Sequence, residues 1–351
     1  MSATALLKDG DGHRTYDSVD AALGPAEGRY FGLGLSRVHH VLHDVSSVGG
    51  PGSGQVAARA GIVYPPDWSV KGVGELRPHL SSIDALVLAV RVAEFYMRTC
   101  GLSEDQVRRA WIRSMKVRAG NDPTLELSDF AVDARLVASE PVPRSLGGQV
   151  STVESHVGAI TLVLEIEHEP RLLPRSEAKL APGARFVSPP RFFYGDQHRE
   201  TQRLLADLDL DLHAGSARSL VTITAPEETD DIGGLGAAYA PGLSIVDMIA
   251  VAAQMAQALL YDLDGLTRQE SQTLWMRRYQ GSLKTPYQPI TNPFIATTSI
   301  RSSRLVPMGG LIWRTAELQF CQLGAVGTFS VAHALPAASD EVAPPHPSED
   351  S

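Results

Sequence analysis

Two serine-x-x-aspartate pairs, Ser81-Ser82-Ile83-Asp84 and Ser244-Ile245-Val246-Asp247, each stand at the head of a long apolar segment. An acid in that place has two possible uses. In a capping box the serine accepts from the third backbone N–H and the acid reaches back to the cap. As a general base, the carboxylate takes a proton from an acidic C–H or from a hydroxyl. Burial would raise its pKa, and the positive end of the helix would lower it. Aspartate is shorter and less usual there than glutamate, which favours the chemical use. His79 precedes the first pair, and Gly242 takes its place before the second. Non-repeated polar residues in repeated positions are where two copies specialise, so His79 is either a catalytic or carbonyl-binding group or a solvated loop histidine.

Other candidates lie nearby. His39, His40 and His43 sit on an extended segment, and their counterparts 162 residues on, Thr201, Gln202 and Leu205, are not histidines. On a strand His39 and His43 share one face and His40 the other. Three ligands that alternate cannot converge on a metal, so one pocket-facing histidine, His40 or His43, or a wet strand is expected. Trp68 and Lys71 share a loop, where a lysine beside an aromatic binds a phosphate or a sugar hydroxyl unless it is merely solvated. Arg91, matched by Gln254, lies in the apolar helical segment and must be paired if buried. Asp247, or a substrate carboxylate or phosphate, would serve. Cys100 and Cys321 have no CxxC spacing and read as buried thiols. Neither a metal nor a cofactor is expected.

The elements that must position these residues occur twice. Pro78-His79-Leu80-Ser81-Ser82-Ile83-Asp84 returns as Pro241-Gly242-Leu243-Ser244-Ile245-Val246-Asp247, 163 residues later. Gly101-Leu102-Ser103 and Trp111-Ile112-Arg113 return as Gly265-Leu266-Thr267 and Trp275-Met276-Arg277 at 164. Arg29-Tyr30-Phe31 returns as Arg191-Phe192-Phe193, and Gly147-Gly148 as Gly309-Gly310, both at 162. Five landmarks in one order mark a tandem duplication. The helical segments 82–98 and 243–261 are apolar around most of their circumference, the mark of a helix buried on most sides. Each is flanked by strand-like runs. The predicted fold is therefore α+β, a sheet curled around a central helix, twice. The expected organisation is a lead-in over 1–25, a first repeat over 26–169, a Pro-rich linker over 170–190, a second repeat over 191–335 and an acidic tail over 336–351.

With 351 residues, 43% hydrophobic and 20% charged, the chain suits an ordinary two-domain globular protein. A net charge of −9 disfavours nucleic acid as a partner. No leader and no stretch of about 18 apolar residues is evident, so the reading is cytoplasmic with no membrane partner.

The repeat resembles the double hot-dog fold, and Pro241-Gly242-Leu243-Ser244-Ile245-Val246-Asp247 resembles the helix entry of acyl-carrier-protein dehydratases, with Asp247 where their catalytic carboxylate stands. The glutamine usual four residues later is replaced by Val251, and by Leu88 in the first copy. More closely, Asp67-Trp68-Ser69-Val70-Lys71 followed by Arg77-Pro78-His79-Leu80-Ser81-Ser82-Ile83-Asp84, with Gly101-Leu102-Ser103 and Trp111, resembles the avirulence-D family, the syringolide-producing proteins. That resemblance implies an enzyme similar to the A-factor butenolide synthases. It would act as an acyltransferase or condensing enzyme, joining a β-ketoacyl thioester, on acyl carrier protein or CoA, to a small ketose, with a homodimer as the expected assembly. Asp84 or Asp247 would accept the proton of the sugar hydroxyl, with His79 orienting or relaying. His40, His43, Trp68, Lys71, Ser81 and Arg91 would contact substrate. The alternatives are a β-hydroxyacyl thioester dehydratase and a non-catalytic acyl-binding module.

Overall fold

The computed structural model describes residues 6–7, 12–48, 54–72, 76–142, 148–170, 191–225 and 231–336. Nearly all of the expected linker and tail lies outside the described residues.

Two helices organise the core, α2 (Ser82–Thr99) and α4 (Ile245–Leu263). Each begins on a serine whose hydroxyl accepts from the backbone N–H three residues on, at Asp84 and Asp247. Both are buried along almost their whole length, including Leu86, Val87, Leu88, Leu259 and Leu260 at 0% exposure. Truncating one such leucine to alanine costs about 2–5 kcal/mol. Contrary to the sequence reading, α4 is long and apolar enough to cross a membrane, but its apolar surface is spent on the protein's own core.

The first half runs through β3 (His39–Ser47), β4 (Gln55–Val63), α2, α3 (Glu104–Arg109), β5 (Trp111–Arg118), β6 (Phe130–Pro141), β7 (Gln149–Val157) and β8 (Ile160–His168). The second runs through β9 (Gln202–Asp211), β10 (Ser216–Thr224), α4, β11 (Trp275–Leu283), β12 (Phe294–Met308), β13 (Leu311–Gln322) and β14 (Ala325–Ala334). Helix α2 packs on β3, β4, β6, β7 and β8, and α4 on β9, β10, β12 and β13. The strands form one antiparallel sheet rather than two. The block β9-β10-β12-β13-β14-β11 joins the block β5-β8-β7-β6-β4-β3 through the β11–β5 ladder, with Gln280 opposite Lys116.

The duplication reaches into the irregularities. One extra residue kinks β3 between His43 and Ser46, with Asp44 at φ 52°. The same bulge kinks β9, with Asp207 at φ 48°. Bulges between Ile112 and Ser114 and between Leu136 and Ala138 recur between Met276 and Arg278 and between Ile300 and Ser302. Bulges bend a strand and raise its twist. Repeated bulges give the two halves the same curl over their helices.

The N-terminal lead-in is corrected. After β1 (Leu6–Leu7), β2 (His13–Ser18) adds itself to the far edge of the second half, Thr15 opposite Asp209. The short helix α1 (Val19–Leu23), capped by Ser18, then buries Val19 and Leu23. Strong polar ties complete this crossing: Tyr16 donates to Asp262 at 2.7 Å, and Arg29 donates to Gln254 at 2.8 Å.

Candidate active site

At the start of α2 the Asp84 carboxylate is saturated with donors. His40 Nε2 donates to Oδ1 at 2.8 Å, and Oδ2 accepts from Ser81 Oγ at 2.5 Å, from Tyr30 Oη at 2.9 Å and from Tyr64 Oη. The strand β3 supplies His40, and Arg91 of α2 fixes that strand by donating to the His40 carbonyl at 3.1 Å. Burial pushes the Asp84 pKa up, but the hydrogen bonds and charge of His40, with those of Ser81 and Tyr64, outweigh it and hold the group below the usual carboxylate range. Burial and the neighbouring carboxylate push both tyrosines well above their ordinary value, so both remain donors. The result is an anion wrapped by two phenols, a serine and an imidazole.

Asp247 occupies the same position in α4 with different company. Ser244 donates to Oδ2 through its backbone N–H at 2.9 Å and through Oγ at 2.6 Å, completing a capping box. Arg203 of β9 donates Nε–H to Oδ1 at 2.7 Å, and that ion pair is buried on both sides. A carboxylate held by a permanent cation and its own cap has no mobile proton partner. Here the capping reading accounts for the residue.

Between the halves lies a cavity of about 620 Å³. Most of its wall is apolar, with Phe31, Leu80, Ile160, Met276 and Trp313. At one end Tyr30, Ser81 and Ser82 bring the N-terminus of α2 to the wall, and His79 lines it beside them. The Tyr30 and Ser81 hydroxyls are 2.5 Å apart. The cavity therefore meets Asp84 only through these two hydroxyls, since neither Asp84 nor His40 is in its lining. His79 is held between Trp275, centroids 4.6 Å apart, and the edge-on ring of Trp68 at 5.6 Å. Its Nδ1 faces the Arg77 carbonyl at 3.3 Å and so carries the ring proton. Burial lowers its pKa, against weaker opposing pulls from that carbonyl and from Asp84. A neutral imidazole with its Nε2 lone pair free is the form a general base takes.

The cavity wall also carries cations. Lys71 is buried rather than a solvated loop charge, and donates across the halves to Ser271 Oγ at 2.9 Å and the Gln272 carbonyl at 2.7 Å. Burial and the nearby Arg268 charge pull its pKa down to about 7. Arg268 in turn donates to the Val70 and Gly28 carbonyls at 2.6 and 3.0 Å. Trp68, Lys71, Ser81 and His79 thus share one cavity.

Three expected contacts fall elsewhere. His43 pairs with Asp44 at 2.9 Å and Asp129 at 3.5 Å on the outer side of the sheet, because its neighbour across the pleat, not it, faces the helix. Arg91 does not line the cavity; it donates to the backbone of β3. His40 acts from behind Asp84. Of the thiols, Cys100 is buried but Cys321 is exposed. Tyr30, Tyr64 and Arg203 were not singled out from the sequence. Tyr30 was within reach, because the Arg29-Tyr30-Phe31 landmark loses its hydroxyl on repeating as Arg191-Phe192-Phe193.

The family model described as Pseudomonas avirulence D protein (AvrD) matches residues 14–336. No curated protein matches the chain in sequence. Among solved structures, a conserved protein of unknown function with a hot dog fold from Alicyclobacillus acidocaldarius is 10% identical, covering 84% of this chain and 96% of its own, with a TM-score of 0.39. A 12:0-ACP thioesterase from Umbellularia californica is 8% identical over 86% and 95%, at 0.37. The GphF dehydratase 1 is 14% identical over 82% and 97%, at 0.34.

Proposed function

The chain belongs to the avirulence D family, and from that premise we propose that it is an acyl-thioester-processing enzyme that transfers a β-ketoacyl group to a hydroxyl of a small ketose. Its halves are read as two hot-dog units, each wrapped on its own helix. The observation that carries the proposal is the cavity in which a neutral His79 stands beside the Tyr30 and Ser81 hydroxyls at the head of α2. An apolar wall suits an acyl chain, and the polar ends suit a small hydroxylated acceptor.

In this mechanism the thioester carbonyl lies against the positive end of α2, which stabilises the oxyanion. His79 Nε2 removes the proton of the ketose hydroxyl as its oxygen attacks the carbonyl carbon. The tetrahedral intermediate collapses by breaking the carbon–sulfur bond, and the imidazolium returns the proton to the departing thiolate. Tyr30 and Ser81 orient the acceptor, while Asp84, itself held by His40, accepts from both hydroxyls and fixes their positions. Asp84 is thus a positioning residue and His79 the base, an inversion of the roles that spacing alone suggests. Ring closure of the acyl-sugar to a butenolide-type product would follow.

A dehydratase reading has one observation in its favour, a histidine and an aspartate around one site. Against it, the Asp84 carboxylate is screened from the cavity by Ser81 and Tyr30 and carries no proton to give a leaving hydroxyl. Incubating the protein with β-ketoacyl carrier protein or β-ketoacyl-CoA and a panel of small ketoses, followed by mass spectrometry, tests the proposal. An acyl-ketose formed only when both are present supports transfer. Enoyl product from a β-hydroxyacyl thioester without sugar would overturn it in favour of dehydration, and tight acyl binding without turnover would reduce the protein to a binding module.

A further inference from the structure

The outer face of the sheet holds charge that the cavity does not use. Where the halves join, Arg118 of β5 stands directly opposite Arg278 of β11, and Lys116 opposite Gln280. Like charges facing each other across a ladder destabilise it. Several other surface arginines are paired, as Arg59 with Asp129, Arg109 with Glu169 and Arg135 with Glu154. Among the described residues none of Lys116, Arg118, Arg278 and Arg301 has an ion-pair partner. All four line a groove of about 440 Å³ whose only carboxylate is Glu317. From β5 to β12 the groove crosses five neighbouring strands, a span of about 19 Å at ~4.8 Å per strand. That is too long for one phosphate group and suits the acidic face of a protein.

The groove also abuts the cavity. Arg118, Thr161 and Arg278 line the groove, while their chain neighbours Ala119, Ile160 and Arg277 line the cavity, and Ala119 donates its N–H to the Arg277 carbonyl at 3.0 Å. A partner seated on the groove is therefore placed at the strand ends that wall the acyl site.

We infer that this groove is the docking surface for an acidic carrier protein, which presents the acyl thioester on a flexible arm to the adjoining cavity. The inference rests on the acyl-transfer reading and selects carrier protein over free CoA as the donor. Exposed cations of this kind act through encounter rate and salt dependence rather than deep burial.

The test uses the full chain and a variant with Arg118→Gln, Arg278→Gln and Arg301→Gln, none of which lines the cavity. The same acyl group is supplied on an acidic carrier protein and on N-acetylcysteamine. The expected result is a fall of about tenfold or more in kcat/KM for the carrier-borne donor, with the small thioester unaffected and the salt dependence of the carrier reaction flattened. Equal loss with both donors, or no loss with either, overturns the inference. If neither donor is consumed, it is the transferase reading that has failed; fluorescence anisotropy with labelled carrier protein then still decides the docking. Binding by the parent protein that the variant loses supports it. Equal binding by both, or a short DNA duplex binding the parent as tightly as the carrier does, overturns it.

Discussion

The starts of α2 and α4 carry the same serine and the same aspartate, on the same bulged strand geometry, and yet only the start of α2 lines the cavity. In the second half Arg203 faces Asp247, and the pair is closed by a full capping box. In the first half the facing residue, 163 positions earlier, is His40, and two tyrosines take the place of the back-bonding cap. An arginine neutralises a buried carboxylate permanently, whereas the donors around Asp84 include the Tyr30 and Ser81 hydroxyls that line the cavity. The duplicated aspartate is a structural part in both halves. Its neighbours decide whether it is anything more.

The comparison is most sharply tested at the residue the second half lacks. His79→Gln should cut turnover by about 10²–10⁴-fold with little change in melting temperature, read by steady-state kinetics and thermal denaturation. Retained turnover would remove His79 from the role of base. The wild-type rate should fall only as pH drops through a value below the ordinary histidine 6.5, because burial disfavours the imidazolium.

The two aspartates should then separate. Asp84→Asn should lower turnover by about a hundredfold, since the Ser81 and Tyr30 hydroxyls lose the anion they lean on. Asp247→Asn leaves Arg203 buried without a counter-charge, which costs about 3–5 kcal/mol of stability while each folded molecule keeps its rate. Equal kinetic losses in the two variants would dissolve the contrast between the half-sites.

A comparable effect on stability should follow from acid. The second-half residue His198 packs 6.2 Å from the His40 ring, and burial pulls its pKa down to about 3. Below pH 6.5 the unfolded chain takes up a proton that the folded state refuses, so this stabilisation is complete above pH 6.5 and is lost as pH falls toward 3. The loss amounts to about 3–5 kcal/mol. Chemical denaturation across that range should show it, and His198→Gln, which keeps a donor for the Phe193 carbonyl, should flatten it. The smallest change is expected for Tyr30→Phe, which removes one hydrogen bond to a charged group, about 1.5–3 kcal/mol. Its turnover should lie between those of the wild type and Asp84→Asn.

Much of the scaffold was legible because it was written twice. Helix starts at Ser81 and Ser244 follow from the capping pattern, and the all-round apolar surface of 82–98 foretells its burial. The single sheet was not legible, because the β11–β5 ladder that fuses the halves leaves no local mark in either strand. The N-terminal strand was missed for a similar reason: His13–Ser18 alternates half-buried and exposed residues and reads as polar until β9 supplies its partner. In the site, one residue of register hid Arg203. Counting 162 places Gln202 opposite His40, while the helix spacing of 163 places Arg203 there, and a one-residue slip on a strand turns every side chain to the other face. Tyr64 has no signal in the sequence, since nothing in its surroundings announces that β4 ends beside the head of α2.

The position of β2 has a consequence for how the chain is made. Thr15 pairs with Asp209, so the ladder cannot begin until 194 further residues (209 minus 15) have been synthesised. At a usual elongation rate of about 5–20 residues per second that is a delay of roughly 10–40 s. During it, the edge of His13–Ser18 that pairs with β9 has no partner, and the Tyr16 hydroxyl has no Asp262 to meet. The second half, when it emerges, finds β2 already made and ready to extend its sheet. The β2–β9 ladder therefore cannot form before the second half has begun to emerge.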